Sequence, residues 1–198
     1  MTRTALIVAD VQSGITQNFP FAAPVVPILE TVVPAARRAG VHIVHLRAGL
    51  RSNGSDVHPN NALFAQFHGM GELFHDTSDA TLTDPRLVPG PQDSVVLKRR
   101  TSGFASTDLD LVLRSNAIDE VVVCGVATSA VVAATVYAAS DLDYRVSVLS
   151  DACADVEEDV HEFLMTRIFP ARGVTVYPSS ELLALLHRAT RDGVSGTQ

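Results

Sequence analysis

Six short runs of aliphatic and β-branched residues, spaced so that helical stretches fit between them, constrain this chain more than any other feature. They are Ala5–Asp10, Val41–Arg47, Ser94–Lys98, Glu120–Cys124, Arg145–Ser150 and Val174–Tyr177. Each reads as a near-continuous apolar run, the mark of a strand covered on both faces. Strands of that kind alternating with amphipathic stretches predict βαβ units and a parallel sheet. The helices are expected over Val26–Ala39, Asp108–Ser115, Ser129–Leu142, Glu157–Ile168 and Ser180–Thr190. Gly40 stands where a helix stop belongs, and Thr107 or Asp108 can cap the helix that follows. Pro27 fits an opening turn, whereas Pro34 predicts a kink or a late start.

Residues Ala48 to Gln92 break this rhythm. Turn formers (Asn53-Gly54, Pro59, Asp84-Pro85, Pro89-Gly90-Pro91) surround one weak helix near Ala62–His68. An irregular stretch of that length in a compact domain is expected to be a functional loop or an interface segment. The 198 residues suit one domain, here residues 1–191, with a frayed tail over 192–198. Hydrophobic residues make up 46%, aromatics 6%, and Trp is absent, which favours a closely packed sheet under helices. A net charge of −7 argues against nucleic acid or an anionic membrane as partner, since both require a basic patch. The chain opens directly on a strand and has no apolar run near 18 residues, so a cytoplasmic location is expected. In that setting Cys124 and Cys153 are expected to be free and buried.

Ligands of open parallel sheets bind beyond the carboxyl ends of the strands. Asp10 closes the first strand and Lys98 the third. The fourth runs into Gly125-Val126-Ala127-Thr128-Ser129, a small-residue turn that opens a helix and would offer free N–H groups. An acid, an amine and a donor-rich turn in one crevice make a plausible reactive centre. The plainer reading is that Asp10 caps a loop and Lys98 is a solvated strand end.

ALIVADVQ, VVLKRRTSGF and VVVCGVATSAVV, followed by SVLSDACAD and FPARGVTV, together resemble the isochorismatase-like hydrolases over nearly the whole chain. That family includes nicotinamidases, N-carbamoylsarcosine amidase and isochorismatases. The resemblance implies a three-layer α/β/α fold with a six-stranded parallel sheet in the order 3-2-1-4-5-6. It also implies a cis peptide at Val126–Ala127. In the amidase branch a Cys at the helix start attacks the carbonyl, an Asp is its base, a Lys orients the pair, and backbone N–H groups hold the oxyanion. Transferred by position, Asp10 is the base, Lys98 the third member, and Ala127, Thr128 and Ala130 form the oxyanion turn.

The nucleophile position holds Val131, which cannot form a thioester. Thr128 and Ser129 could substitute only with a base in reach, and both cysteines read as structural. Three readings stay open. Isochorismatases that lack the Cys protonate a vinyl ether, and here Asp10 would be the acid while Lys98 holds or polarises a substrate carboxylate. Alternatively, Asp10 activates water on an amide or ester. In the third reading the site is degenerate and the protein is a binding or interaction module.

Nicotinamidases bind a divalent ion through Asp-x-His and a later His, and Asp56-Val57-His58 with His68 or His75 imitates that spacing. The surrounding residues do not match, so no metal or other cofactor is expected. His42 and His45, three apart on a strand, point to opposite faces and form no site. Gln12, Phe19, Arg100, Phe104 and Thr128 are the candidates for pocket lining: Arg100 to pair with a carboxylate, the two phenylalanines as an apolar wall. The helix face of Val132, Val136 and Ala139 reads as core or subunit contact. The expected partner is a small-molecule substrate, and the resemblance implies a homodimer or homotetramer.

Overall fold

The computed structural model describes residues 3–195. The six strands are β1 (Thr4–Ala9), β2 (His42–Ala48), β3 (Ser94–Lys98), β4 (Glu120–Val126), β5 (Arg145–Ala154) and β6 (Thr175–Tyr177). They form one sheet in the order β3-β2-β1-β4-β5-β6, with every neighbouring pair parallel. The central β1 is buried from Ala5 to Ala9, which accounts for its unbroken apolar sequence.

The helices are α1 (Ser13–Asn18), α2 (Val25–Arg38), α3 (Ala62–Gly69), α4 (Leu109–Ser115), α5 (Ala133–Asp141), α6 (Glu158–Phe163), α7 (Phe169–Ala171) and α8 (Ser179–Ser195). Right-handed crossovers put α2 on one face of the sheet and α4 and α5 on the other. The final helix α8 returns to pack on α2. The result is an α/β fold whose single core runs along both faces of β1 and β4. Val132, Val136 and Ala139 are all fully buried in that core, so their face is internal.

Several boundaries differ from expectation. Pro34 does not delay α2, which begins at Val25 and runs through it. The missing N–H falls opposite the carbonyl of exposed Glu30, where water can serve that oxygen. Helix α1 was not anticipated. Strand β5 extends four residues past Ser150, because a register shift between Val123 and Gly125 re-pairs Cys153 and Ala154 with β4. The helix expected from Ser129 opens instead as a π-helical turn, Thr128–Val132, before α5 begins. A second π turn, Leu164–Ile168, follows α6. Helix α8 continues four residues into the segment read as a tail, and 196–198 lie outside the described residues.

The irregular stretch after β2 is a strap that crosses the carboxyl ends of β1, β2 and β3. Bridges Gln12↔Thr83 and Leu50↔His75 tack it down. Arg99 clamps it further by donating to Asp56 (3.0 Å), Asp76 (2.7 Å) and the Gly49 carbonyl (3.0 Å). Its helix α3 thereby hangs over the strand ends.

Candidate active site

Beneath the strap lies a cavity of about 360 Å³, lined by Asp10 and Lys98 together with the turn after β4. The size suits a small organic molecule. Lys98 leaves the end of β3 and passes over β2, where its register partner is Ala48, a side chain small enough to leave the path open. Its ammonium donates to Asp10 Oδ2 at 2.8 Å and to the Arg100 carbonyl at 3.3 Å. Asp10 stands just past β1 with φ of 55°, in the left-handed region that side chains rarely adopt. That backbone ends the strand and aims the carboxylate into the cavity.

Both members of the pair are nearly sealed, at 7% exposure for Asp10 and 3% for Lys98. They are therefore a buried ion pair and not a loop cap beside a solvated strand end. Burial drives the Asp10 pKa above the ordinary carboxylate value, and the neighbouring ammonium only partly offsets it. Asp10 Oδ1 is buried and has no hydrogen-bond partner.

The opposite wall is the turn after β4. The Val126–Ala127 peptide is cis. Ala127, Ser129, Ala130 and Val131 line the cavity, and Val131 is 1% exposed. Some of the N–H groups expected to be free are committed. Ser129 donates to Asp155 Oδ2 (2.5 Å), while Ala130 and Val132 both donate to the Ala127 carbonyl (3.2 and 3.3 Å). The Ala130 N–H, expected to join the oxyanion turn, is thus folded back on the chain by the π turn.

Of the lining candidates, Phe19 faces the cavity and four others do not. Gln12 is 1% exposed and braces β2, with its amide donating to the Ala48 carbonyl (3.0 Å) and its oxygen accepting from the Ala48 N–H (2.6 Å). Arg100 turns to the Asp56 and Arg99 carbonyls and lies over the Phe64 ring, with its guanidinium carbon 5.7 Å from the ring centroid. Phe104 packs on Tyr144. Thr128 does have a base in reach, His161 Nδ1 at 2.8 Å from its hydroxyl, but it is fully buried and absent from the cavity wall.

Sequence reasoning missed the strap's contribution, namely Leu63, Phe64, Phe67, Met70 and Phe74, along with Phe21 and Asp155. The spacing of 64, 67, 70 and 74 is a helical face, and that signal could have found them.

Asp56 is not placed as a metal ligand. Its carboxylate accepts from Arg99 (3.0 Å) and from the Arg51 N–H, while His58 Nδ1 accepts from the Asn60 N–H. These residues do not fit a divalent ion, and no group of three metal-ligating side chains occurs among the described residues. His45 is buried against Asp93 (3.4 Å) and His42 bonds to Ser94 (3.0 Å), both away from the cavity. Cys124 and Cys153 are free and buried, with thiol pKa values pushed up by burial, that of Cys153 to about 12.

The sequence pattern of the isochorismatase domain matches residues 4–181. The chain belongs to the isochorismatase family. Within the family it is 31% identical over 171 residues to YwoC, an uncharacterized isochorismatase family protein of Bacillus subtilis, covering 86% of this chain and 88% of that one. It is 29% identical over 164 residues to an Arabidopsis thaliana protein described as a probable inactive nicotinamidase, with 80% and 84% covered. Among solved structures, a cysteine hydrolase from Pseudomonas syringae superposes with a TM-score of 0.87 at 28% identity, over 94% of this chain and 93% of that one. The isochorismatase fold of this chain is thus that of a hydrolase family. No helix among its described residues is long and apolar enough to cross a membrane.

Proposed function

We propose that this isochorismatase-family chain hydrolyses a small molecule without a covalent intermediate, and that Asp10 is the acid that starts the reaction. One observation carries the reading: Asp10 Oδ1 is buried at the cavity wall without a hydrogen-bond partner, in surroundings that raise its pKa. A carboxyl whose protonated form burial favours can give its proton to substrate. Val131, at the family's nucleophile position, has no lone pair to attack a carbonyl. The N–H groups of Ser129 and Ala130 are moreover already bonded within the chain and so withdrawn from holding an oxyanion.

Vinyl-ether hydrolysis fits these groups. The Asp10 proton adds to the alkene carbon, the π electrons form the new C–H bond, and positive charge develops on the ether carbon. Water adds there and returns a proton to the Asp10 carboxylate. The resulting hemiketal then breaks its C–O bond to leave a carbonyl compound and an alcohol. Lys98, 2.8 Å from Oδ2, steadies the carboxylate while it is charged.

The test is a panel of vinyl ethers, amides and esters assayed across pH with the native protein and Asp10→Asn. Vinyl ethers should turn over. Activity should fall as pH rises through the Asp10 titration and drop by about 100-fold or more in Asp10→Asn. Iodoacetamide should have no effect. Activity that rises with pH would assign Asp10 to water activation instead. Loss on alkylation with protection by substrate would sink the nucleophile-free scheme. Binding without any turnover would make the chain a binding module.

A further inference from the structure

The walls of the same cavity speak to what enters it. The chain has eight phenylalanines, and five of them (Phe19, Phe21, Phe64, Phe67 and Phe74) line this one space. Phe67 stacks on Phe74 with centroids 4.5 Å apart, and Phe64 meets Phe67 edge-on at 5.9 Å. Phe19 and Phe21 form another edge-to-face pair at 6.3 Å. Two aromatic clusters from separate segments, a pair from the end of α1 and its following turn and a trio from the strap, therefore converge over a single ion pair. Apolar area on that scale rewards burial of a ring or branched hydrocarbon.

Charge narrows the choice. The ionisable lining residues among those described are Asp10, Lys98 and Asp155. The Lys98 ammonium is already held by Asp10 Oδ2 and the Arg100 carbonyl. Arg99 is tied to Asp56 and Asp76, and Arg100 to the Asp56 and Arg99 carbonyls. A carboxylate brought into the cavity would lose water, have to compete with Asp10 for the Lys98 ammonium, and meet Asp155. A neutral ligand incurs none of these costs.

We infer that the cavity selects an uncharged molecule carrying an aryl or branched hydrocarbon arm, and discriminates against substrates that bear carboxylates. The inference takes Asp10 as the reacting end, as in the function proposed above, and adds the chemistry of the other end.

Calorimetry with three carbonyl probes tests it without turnover: benzylacetone (neutral, with an aryl arm), benzylpyruvate (the same arm with a carboxylate) and butanone (neutral, no arm). Benzylacetone should bind about tenfold or more tighter than butanone, and about tenfold or more tighter than benzylpyruvate. Phe67→Ala should remove most of the first difference. Leu63→Lys, at a lining position 42% exposed and so tolerant of charge, should narrow the second by supplying a further cation. Equal or tighter binding of benzylpyruvate, or no effect of the arm, overturns the inference. The same titrations, set beside the turnover panel on the native protein, separate the two proposals. Selectivity retained by a chain that turns nothing over supports the inference while the hydrolase reading fails. Asp10-dependent turnover with no preference for the neutral aryl ligand does the reverse.

Discussion

A carboxylate and an ammonium 2.8 Å apart under a strap ordinarily hold each other's charge, yet burial still raises the Asp10 pKa. Desolvation is the larger effect and the Lys98 charge the smaller, opposing one. Removing the ammonium should therefore send the Asp10 pKa higher still. In Lys98→Met, an NMR titration of the Asp10 carboxyl should show its midpoint moved to higher pH, and an unchanged midpoint would contradict this ordering of effects. Stability should follow the same linkage. A carboxyl whose folded pKa lies above its unfolded value favours the folded state at low pH, and that contribution is lost as pH rises. The gap in melting temperature between native protein and Lys98→Met should accordingly widen as pH rises above the unfolded value, 3.8, as the variant must bury an unpaired charge or keep its proton.

Among the elements, β4 shows how closely the site depends on the sheet. Gly125 has φ of 121°, and a Cβ there would lie 2.1 Å from the Ala9 carbonyl oxygen, which belongs to the strand that presents Asp10. Gly125→Ala should cost more than about 4 kcal/mol and leave little folded protein by circular dichroism. Gly173→Ala, with φ of 77° but nothing within 4 Å, should cost only about 1–2 kcal/mol. Similar losses in both would mean that backbone angle, and not contact with β1, sets the requirement. Such close contacts explain what was legible in the sequence. Strand positions and most helix spans follow from apolar runs and periodicity, and Asp10, Lys98 and the turn after β4 follow from lying at strand ends. The π turn was not legible, because it depends on where Asp155, 26 residues away, meets the Ser129 N–H. Nor was the fate of Gln12 and Arg100, whose polar groups satisfy backbone atoms that only the folded strap brings near.

At the scale of the whole molecule, the cavity exists because the strap is docked, and Asp84 is central to the docking. Its carboxylate is 1% exposed, accepts from Thr16 of α1 (2.6 Å), and takes a two-pronged contact from Arg86 (2.9 Å to each oxygen), while its own N–H donates to the Val11 carbonyl. The Arg86 guanidinium, with the Thr16 hydroxyl in support, holds the Asp84 pKa down at about 2. A depressed carboxylate pKa adds stability that is complete above the unfolded value, here 3.8, and disappears as pH falls through about 2. Asp84→Asn keeps the shape but not the charge. Its deficit in urea unfolding against the native protein should be full at neutral pH and close over that acid window. Limited proteolysis within residues 48–92 should be faster in the variant at neutral pH, because the phenylalanines of α3 and its flank would leave the pocket together with their anchor. A deficit that stays constant down to pH 2 would place the role of Asp84 in packing alone, and would leave the docking of the strap independent of its charge.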